Sequence, residues 1–228
     1  MATFLYVSLV LFIIWLAFFL FSPSSRREQV LMSFIGLLLS PAIMLLTFGS
    51  RSNLSSVPPI GIEDALFAFS LFGVASVIYQ VIFAKHLEFL RDGRSKKVPS
   101  YFRWTASLIF TICAWLFLAT AITVLFSVPA LQATIASGLM VGIYIIADRK
   151  DLLADALLSG FFIAILIFII EQLFFLRLFP EAAQALWQTN QVKGILLSGI
   201  PLEEMLWISV VGFTIGPLYE YVRRMRLV

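Results

Sequence analysis

Long apolar runs separated by short polar connections organise this chain. Runs of 18 or more apolar residues recur along its 228 residues, the length that a helix needs to cross a hydrocarbon layer. They predict seven spans, at roughly 3–21, 29–49, 62–84, 104–127, 129–147, 153–178 and 194–220. The first run, "TFLYVSLVLFIIWLAFFLF", has neither a basic leader nor a small-residue cleavage site, so it reads as a retained span. The tightest junction is Val128-Pro129, where two spans meet with almost no loop. A tight turn there preserves seven spans, whereas one long broken helix would change the parity. No connection is long enough for a soluble domain, so residues 1–228 are expected to form one all-α, polytopic membrane domain.

Composition agrees: 61% of residues are hydrophobic and only 13% charged, far from the balance of a soluble domain. The charges matter mainly for topology. The connection 85–103 carries six Lys or Arg; Arg26 and Arg27, Arg149 and Lys150, and Arg223, Arg224 and Arg226 supply the rest of 13 of the 16 basic residues. With seven spans all 13 fall on one side, leaving Arg51, Arg177 and Lys193 on the other. The positive-inside rule then predicts a multi-pass cell-membrane protein, N-terminus outside and C-terminus cytoplasmic. The net charge of +3 gives no support for nucleic-acid binding. Cys113 lies inside an apolar run and has no cysteine partner in the sequence. Only one histidine, His86, is present, and HExxH, CxxC and glycine-rich phosphate motifs are absent. No metal and no cofactor are therefore expected. Span seven carries no mid-span Lys for a retinal Schiff base.

A shift of 140 residues superposes Ile60 on Ile200, Glu63 on Glu203, Asp64 on Glu204, Leu66 on Leu206, Phe67 on Trp207 and Tyr79 on Tyr219. Span three thus pairs with span seven. By extension, a first three-helix repeat (1–90) and a second (129–222) run in parallel, joined by a linker helix at 104–127. Such repeats would bring the acidic pairs to one depth, facing a central cavity.

Carboxyl groups in an apolar environment are expensive and usually face protein or water. Burial favours their neutral form, and a nearby carboxylate favours it further. Glu203 shares a helix face with Trp207, four residues on, as Glu63 does with Phe67. This pairing suits cation chemistry on an alkene: an acid to protonate it, an aromatic face to stabilise the carbocation, and a base to remove a proton. The same acids also suit a duller reading as first-turn residues at a membrane interface, favoured by the helix dipole. Glu171 reads either as a cavity residue or as a partner of Gln172, Arg177 or Trp187. Asp155 reads as a first-turn acid, Asp148 and Asp151 as interface charges. Tyr79 and Tyr219 read as interfacial anchors, with Tyr219 also placed to orient Glu220. Gly138, Gly142 and Gly160 read as close-packing positions.

The motifs "PLEE" (201–204) followed by Trp207, "GIED" (61–64) followed by Phe67, and "DRKDLLADALL" (148–158) followed by Glu171 and Trp187 resemble the integral-membrane lycopene cyclases. That family comprises paired bacterial subunits and fused archaeal and fungal forms. The chain departs from its pattern at Gly61, which replaces a proline, and at Ile170-Glu171, which stands where the family has Trp-Asp. The resemblance implies a divergent member that cyclises the end of a carotenoid polyene without redox chemistry. Glu203, Glu204, Glu63, Asp64 and Glu171 would be its catalytic residues. Trp207, Phe67 and Trp187 would line the substrate. The implied partner is a lipophilic polyene or polyprenoid taken from the bilayer, with a second copy or other carotenoid enzymes as further partners. Three alternatives stay open at this point: a membrane terpene cyclase acting on another polyprenoid, a non-catalytic lipid-binding or transport protein, and an inactive partner subunit.

Overall fold

The computed structural model describes residues 2–48, 61–89, 100–181 and 195–227. Their helices are α1 (Ala2–Phe21), α2 (Arg26–Phe48), α3 (Ile62–Phe83), α4 (Ser100–Phe126), α5 (Ala130–Asp148), α6 (Leu153–Glu171), α7 (Leu202–Ile215) and α8 (Leu218–Arg223). The chain is an all-α, polytopic membrane protein. Among the described residues, six spans are long and apolar enough to cross a membrane, the last made of α7 and α8 together. α2 has comparable length, 23 residues; Arg26, Arg27 and Glu28 open it and Pro41 lies inside it.

Boundaries moved where side chains could satisfy helix ends. Arg26 belongs to the first turn of α2, not to the preceding connection. Its guanidinium reaches back to the carbonyls of Phe19 (2.7 Å) and Leu20 (3.2 Å), which the end of α1 leaves without helical partners. α4 and α5 are separate helices: Ser127 takes a left-handed conformation (φ 53°), and Pro129 caps α5. Beyond Glu171, α6 widens into π-type turns through Leu178.

The largest correction concerns the seventh span. It starts at Leu202 rather than 194 and breaks at Gly216-Pro217 into α7 and α8. Ahead of it, β2 (Leu196–Leu197) and β3 (Ile200–Pro201) form a small antiparallel hairpin. Its two loop residues, Ser198 (φ 50°) and Gly199 (φ 92°), both have positive φ, the geometry of a two-residue hairpin turn. Pro201, at φ −60°, then opens α7.

α3 and the α7–α8 span are the central elements: 67% and 78% of their spans are buried, against 22% for α1 and for α4. α3 packs on α1 and α2, while α7 packs on α5 and α6. Contacts of α3 with α6 and α7 join the two groups, and α4 rests on α5. Buried polar bonds fix the pairs. Trp15 Nε1 donates to Ser33 Oγ (2.8 Å), and Gln29 Nε2 donates to the Trp15 carbonyl (2.7 Å). Thr214 Oγ1 donates to the Gly138 carbonyl (2.9 Å).

The C-terminal ends of α3 and α8 are alike. Ala84 and Arg224, 140 positions apart, both end their helices at φ 51°. The strands that follow, β1 (Leu87–Phe89) and β4 (Met225–Leu227), pair antiparallel with Leu87 opposite Leu227. These strands were not expected of an all-α chain.

α6 and α7 touch backbone to backbone at Gly212. A Cβ there would lie 2.7 Å from the Ser159 carbonyl oxygen and 2.8 Å from Gly160 Cα. Neither is a side chain that can turn aside, so the helices would have to separate. Gly212→Val is expected to cost about 1–3 kcal/mol through overpacking. It should lower the melting temperature in detergent, whereas a substitution at lipid-facing Phe117 should leave it unchanged.

Candidate functional site

The sequence-derived acids occupy one end of the bundle. At the other end Gln80 of α3 contacts Glu220 of α8. Glu63 and Glu203 each precede those residues by 17 positions, at the N-terminal ends of α3 and α7. Glu63 and Asp64 are half-buried in the first turn of α3. The Gly61 N–H donates to Asp64 Oδ2 (2.9 Å), which makes Asp64 an N-terminal capping residue. The backbone carbonyl of Glu63 accepts from Ser8 Oγ of α1 (2.9 Å). Glu203 and Glu204 are half-buried in the first turn of α7. Gln132 Nε2 of α5 lies 3.4 Å from Glu203 Oε1, a long hydrogen bond. Glu171 is buried at the last residue of α6, and the next residue, Gln172, donates to the Ser198 carbonyl in the hairpin turn (2.8 Å). The "SG" turn, the proline and the two glutamates thus act together: the hairpin is tied to α6 and sets where α7 begins.

The predicted aromatic residues separate. Trp207 is buried one helical turn below Glu203 and lines an apolar cleft with Leu39, Phe72, Trp115, Ala119 and Val211. The cleft is bounded by α2, α3, α4, α5 and α7 and holds about 20 Å³, room for roughly one water molecule. Trp115 Nε1 donates to the Thr134 carbonyl (3.3 Å), so its indole presents apolar ring to the cleft. Phe67 is also buried, with its ring against Phe4 of α1 (centroids 5.3 Å apart). From α3 it is Phe72, not the predicted Phe67, that reaches the cleft wall. Trp187 lies outside the described residues.

A second polar group sits at the basic end, and sequence reading missed most of it. Glu28 of α2, Gln80 of α3, Asp155 of α6 and Glu220 of α8 are all buried. Gln80 Nε2 donates to Glu28 Oε2 (2.7 Å) and to Glu220 Oε1 (2.6 Å). Asp155, expected as a simple first-turn acid, is indeed in the first turn of α6 but fully inside the bundle, accepting from Ser159 Oγ (3.0 Å). Tyr219 is buried rather than anchored at an interface, with the Arg223 guanidinium 5.8 Å from its ring centroid. A sequence signal did exist: the 140-residue match that ends on Tyr79 and Tyr219 continues by one position to Gln80 and Glu220. Nearby, Arg149 binds Asp151 (2.8 and 2.5 Å) and donates to the Met225 carbonyl (2.8 Å), fastening the C-terminal strand. The Asp151 carboxylate holds the Arg149 guanidinium above its ordinary pKa. Among the described residues, no group of three or more His, Cys, Asp or Glu is disposed to hold a metal ion.

Residues 129–222 match the family model described as lycopene cyclase, a stretch shorter than half of the chain. It includes α5 to most of α8, and with them Glu171, Glu203, Glu204 and Trp207, but not Glu63, Asp64 or Phe67. No curated protein and no solved structure matches the chain. Over residues 129–222, this multi-pass membrane protein is similar to the lycopene cyclase family.

Proposed function

We propose that the protein cyclises the acyclic end of a lipophilic polyene such as lycopene, by protonation and deprotonation through a carbocation. One observation carries this reading: Trp207, one turn below Glu203, lines an apolar cleft that Trp115 also lines. The family match over the same segment supports it. A neutral Glu203 carboxyl gives its proton to the terminal double bond. The tertiary cation is attacked by the neighbouring double bond, which closes a six-membered ring. The ring cation then loses a proton to Glu204 or Glu171 and leaves a ring alkene. Protons balance and no electrons are transferred. The indole faces of Trp207 and Trp115 stabilise the cation, and the apolar walls keep water from trapping it. At about 20 Å³ the cleft is closed to a polyene, so the substrate enters laterally from the bilayer by displacing side chains of its wall.

Glu63 and Asp64 are the counterparts of this pair in a first three-helix repeat (1–90), with a second at 129–222 and α4 as the linker helix. The identical helix ends at Ala84 and Arg224 and the Leu87–Leu227 pairing support that division. The basic cluster supports placing the Gln80–Glu220 end in the cytoplasm, with the N-terminus outside.

The test is expression in cells that accumulate lycopene, followed by separation of the pigments. Wild type is expected to yield cyclised products. Glu203→Gln should lower the yield by roughly 10²-fold or more, the usual contribution of a general acid, at unchanged protein level and elution on size exclusion. Full activity of that variant removes the proton-donor role, and unaltered lycopene with folded wild type removes the substrate assignment. At the cation site, Trp207→Phe should keep most of the activity, as a ring is retained. Trp207→Leu should lose about fivefold, in line with a cation–π contribution of about 1 kcal/mol.

A further inference from the structure

Four helices deliver one polar side chain each to a closed site at the basic end: Glu28, Gln80, Asp155 and Glu220. None exceeds 2% exposure. Their arrangement is near-symmetric. Glu28 and Asp155 are each the third residue of their helix, and Gln80 and Glu220 sit 140 positions apart and touch (2.6 Å).

Counting donors sets the protonation state. The Gln80 amide gives its two hydrogens to Glu28 Oε2 and Glu220 Oε1, and Ser159 Oγ donates to Asp155 Oδ1. That accounts for one oxygen on each carboxyl. Among the described residues, the other three oxygens, Glu28 Oε1, Asp155 Oδ2 and Glu220 Oε2, are buried and have no hydrogen-bond partner. A sealed acceptor without a donor is unfavourable, and a sealed carboxylate much more so. One proton on each carboxyl removes the larger cost, three buried negative charges. The surroundings offer partial compensation only. Asp155 lies within electrostatic reach of both Glu28 and Glu220, which adds repulsion if they ionise. Tyr79 faces Asp155, and Tyr219 faces Glu28 and Glu220. Arg149 is within reach of Glu220 and also of Asp148, but its hydrogen bonds go to Asp151 and Met225. Arg223 stacks over Trp104 (5.1 Å) and Tyr219 (5.8 Å).

We propose that Glu28 and Glu220, bridged by Gln80, and the neighbouring Asp155 form a buried proton-binding site that holds the three carboxyl groups neutral where α2, α3, α6 and α8 meet. Its ligand is the hydrogen ion. The site is separate from the acid of the cyclisation reading: Glu203 precedes Glu220 by 17 residues, about 25 Å along a helix.

The test uses purified full-length protein in detergent. Infrared spectra of wild type carrying carbon-13 in its Asp and Glu carboxyls should show the protonated-carboxyl stretch at neutral pH. E28Q, D155N and E220Q should each lower that signal. Absence of the signal in wild type, which needs no variant, overturns the proposal, as does a signal that none of the three changes. Melting temperature gives the second readout. The folded chain keeps protons that the unfolded chain releases above the ordinary carboxyl range of about pH 4, so wild-type stability should fall as pH rises from that range. The amide variants should flatten that slope, and an equal slope in all three overturns the proposal. Replacing sodium by a bulky organic cation should not alter the wild-type curve. A sodium-specific rise in melting temperature at alkaline pH would assign the site to a metal cation and overturn the proton assignment.

Discussion

A polar group inside a bundle surrounded by hydrocarbon has to be answered by another group of the same chain, because no water is at hand to answer it. This constraint orders the whole molecule. It explains why Arg26 reaches back to the open carbonyls of α1, why Trp15, Ser33 and Gln29 form a small ladder between α1 and α2, and why Thr214 bonds the Gly138 carbonyl across two helices. At the Glu28–Asp155–Glu220 cluster, three buried carboxyl oxygens have no partner among the described residues, and the proposed proton site rests on them.

The two ends of the bundle solve the constraint differently. At the hairpin end, Glu63, Asp64, Glu203 and Glu204 are half-buried helix-start residues, with only Glu171 sealed inside. Asp64 spends its carboxylate on a cap, and the Glu203 carboxylate meets Gln132 at long range. Asp64 and Glu203 therefore stand in unequal settings, and Glu203 lies one helical turn from Trp207, which lines the apolar cleft with Trp115. At the basic end the polar groups are sealed and bonded to one another.

Tight packing holds this arrangement in place. Gly212 lets α7 approach the backbone of α6, and the approach fixes the height of both helices. The hairpin fixes the other end: Gln172 bonds Ser198, and Pro201 starts α7 immediately afterwards. The Glu203–Trp207 face is thereby aimed by two constraints, one at each end of its helix.

The sequence determined the spans, the crowding of basic residues into alternate connections and the two acidic pairs. Each of these is a sum or a spacing along one segment, and a run's apolarity does not depend on its neighbours. It placed α4 and α5 on either side of Val128-Pro129 for the same reason. It overextended the seventh span, because residues 196–201 are nearly as apolar as a helix and the Ser198-Gly199 turn and its bond to Gln172 make them a hairpin. It chose Phe67 as the aromatic partner by periodicity, yet packing against Phe4 claims that ring and turns Phe72 to the cleft. Tertiary structure alone decided that Glu28, Gln80, Asp155 and Glu220 meet. Their encounter depends on the relative height and rotation of four helices, and those are set by close contacts between segments that no local pattern encodes.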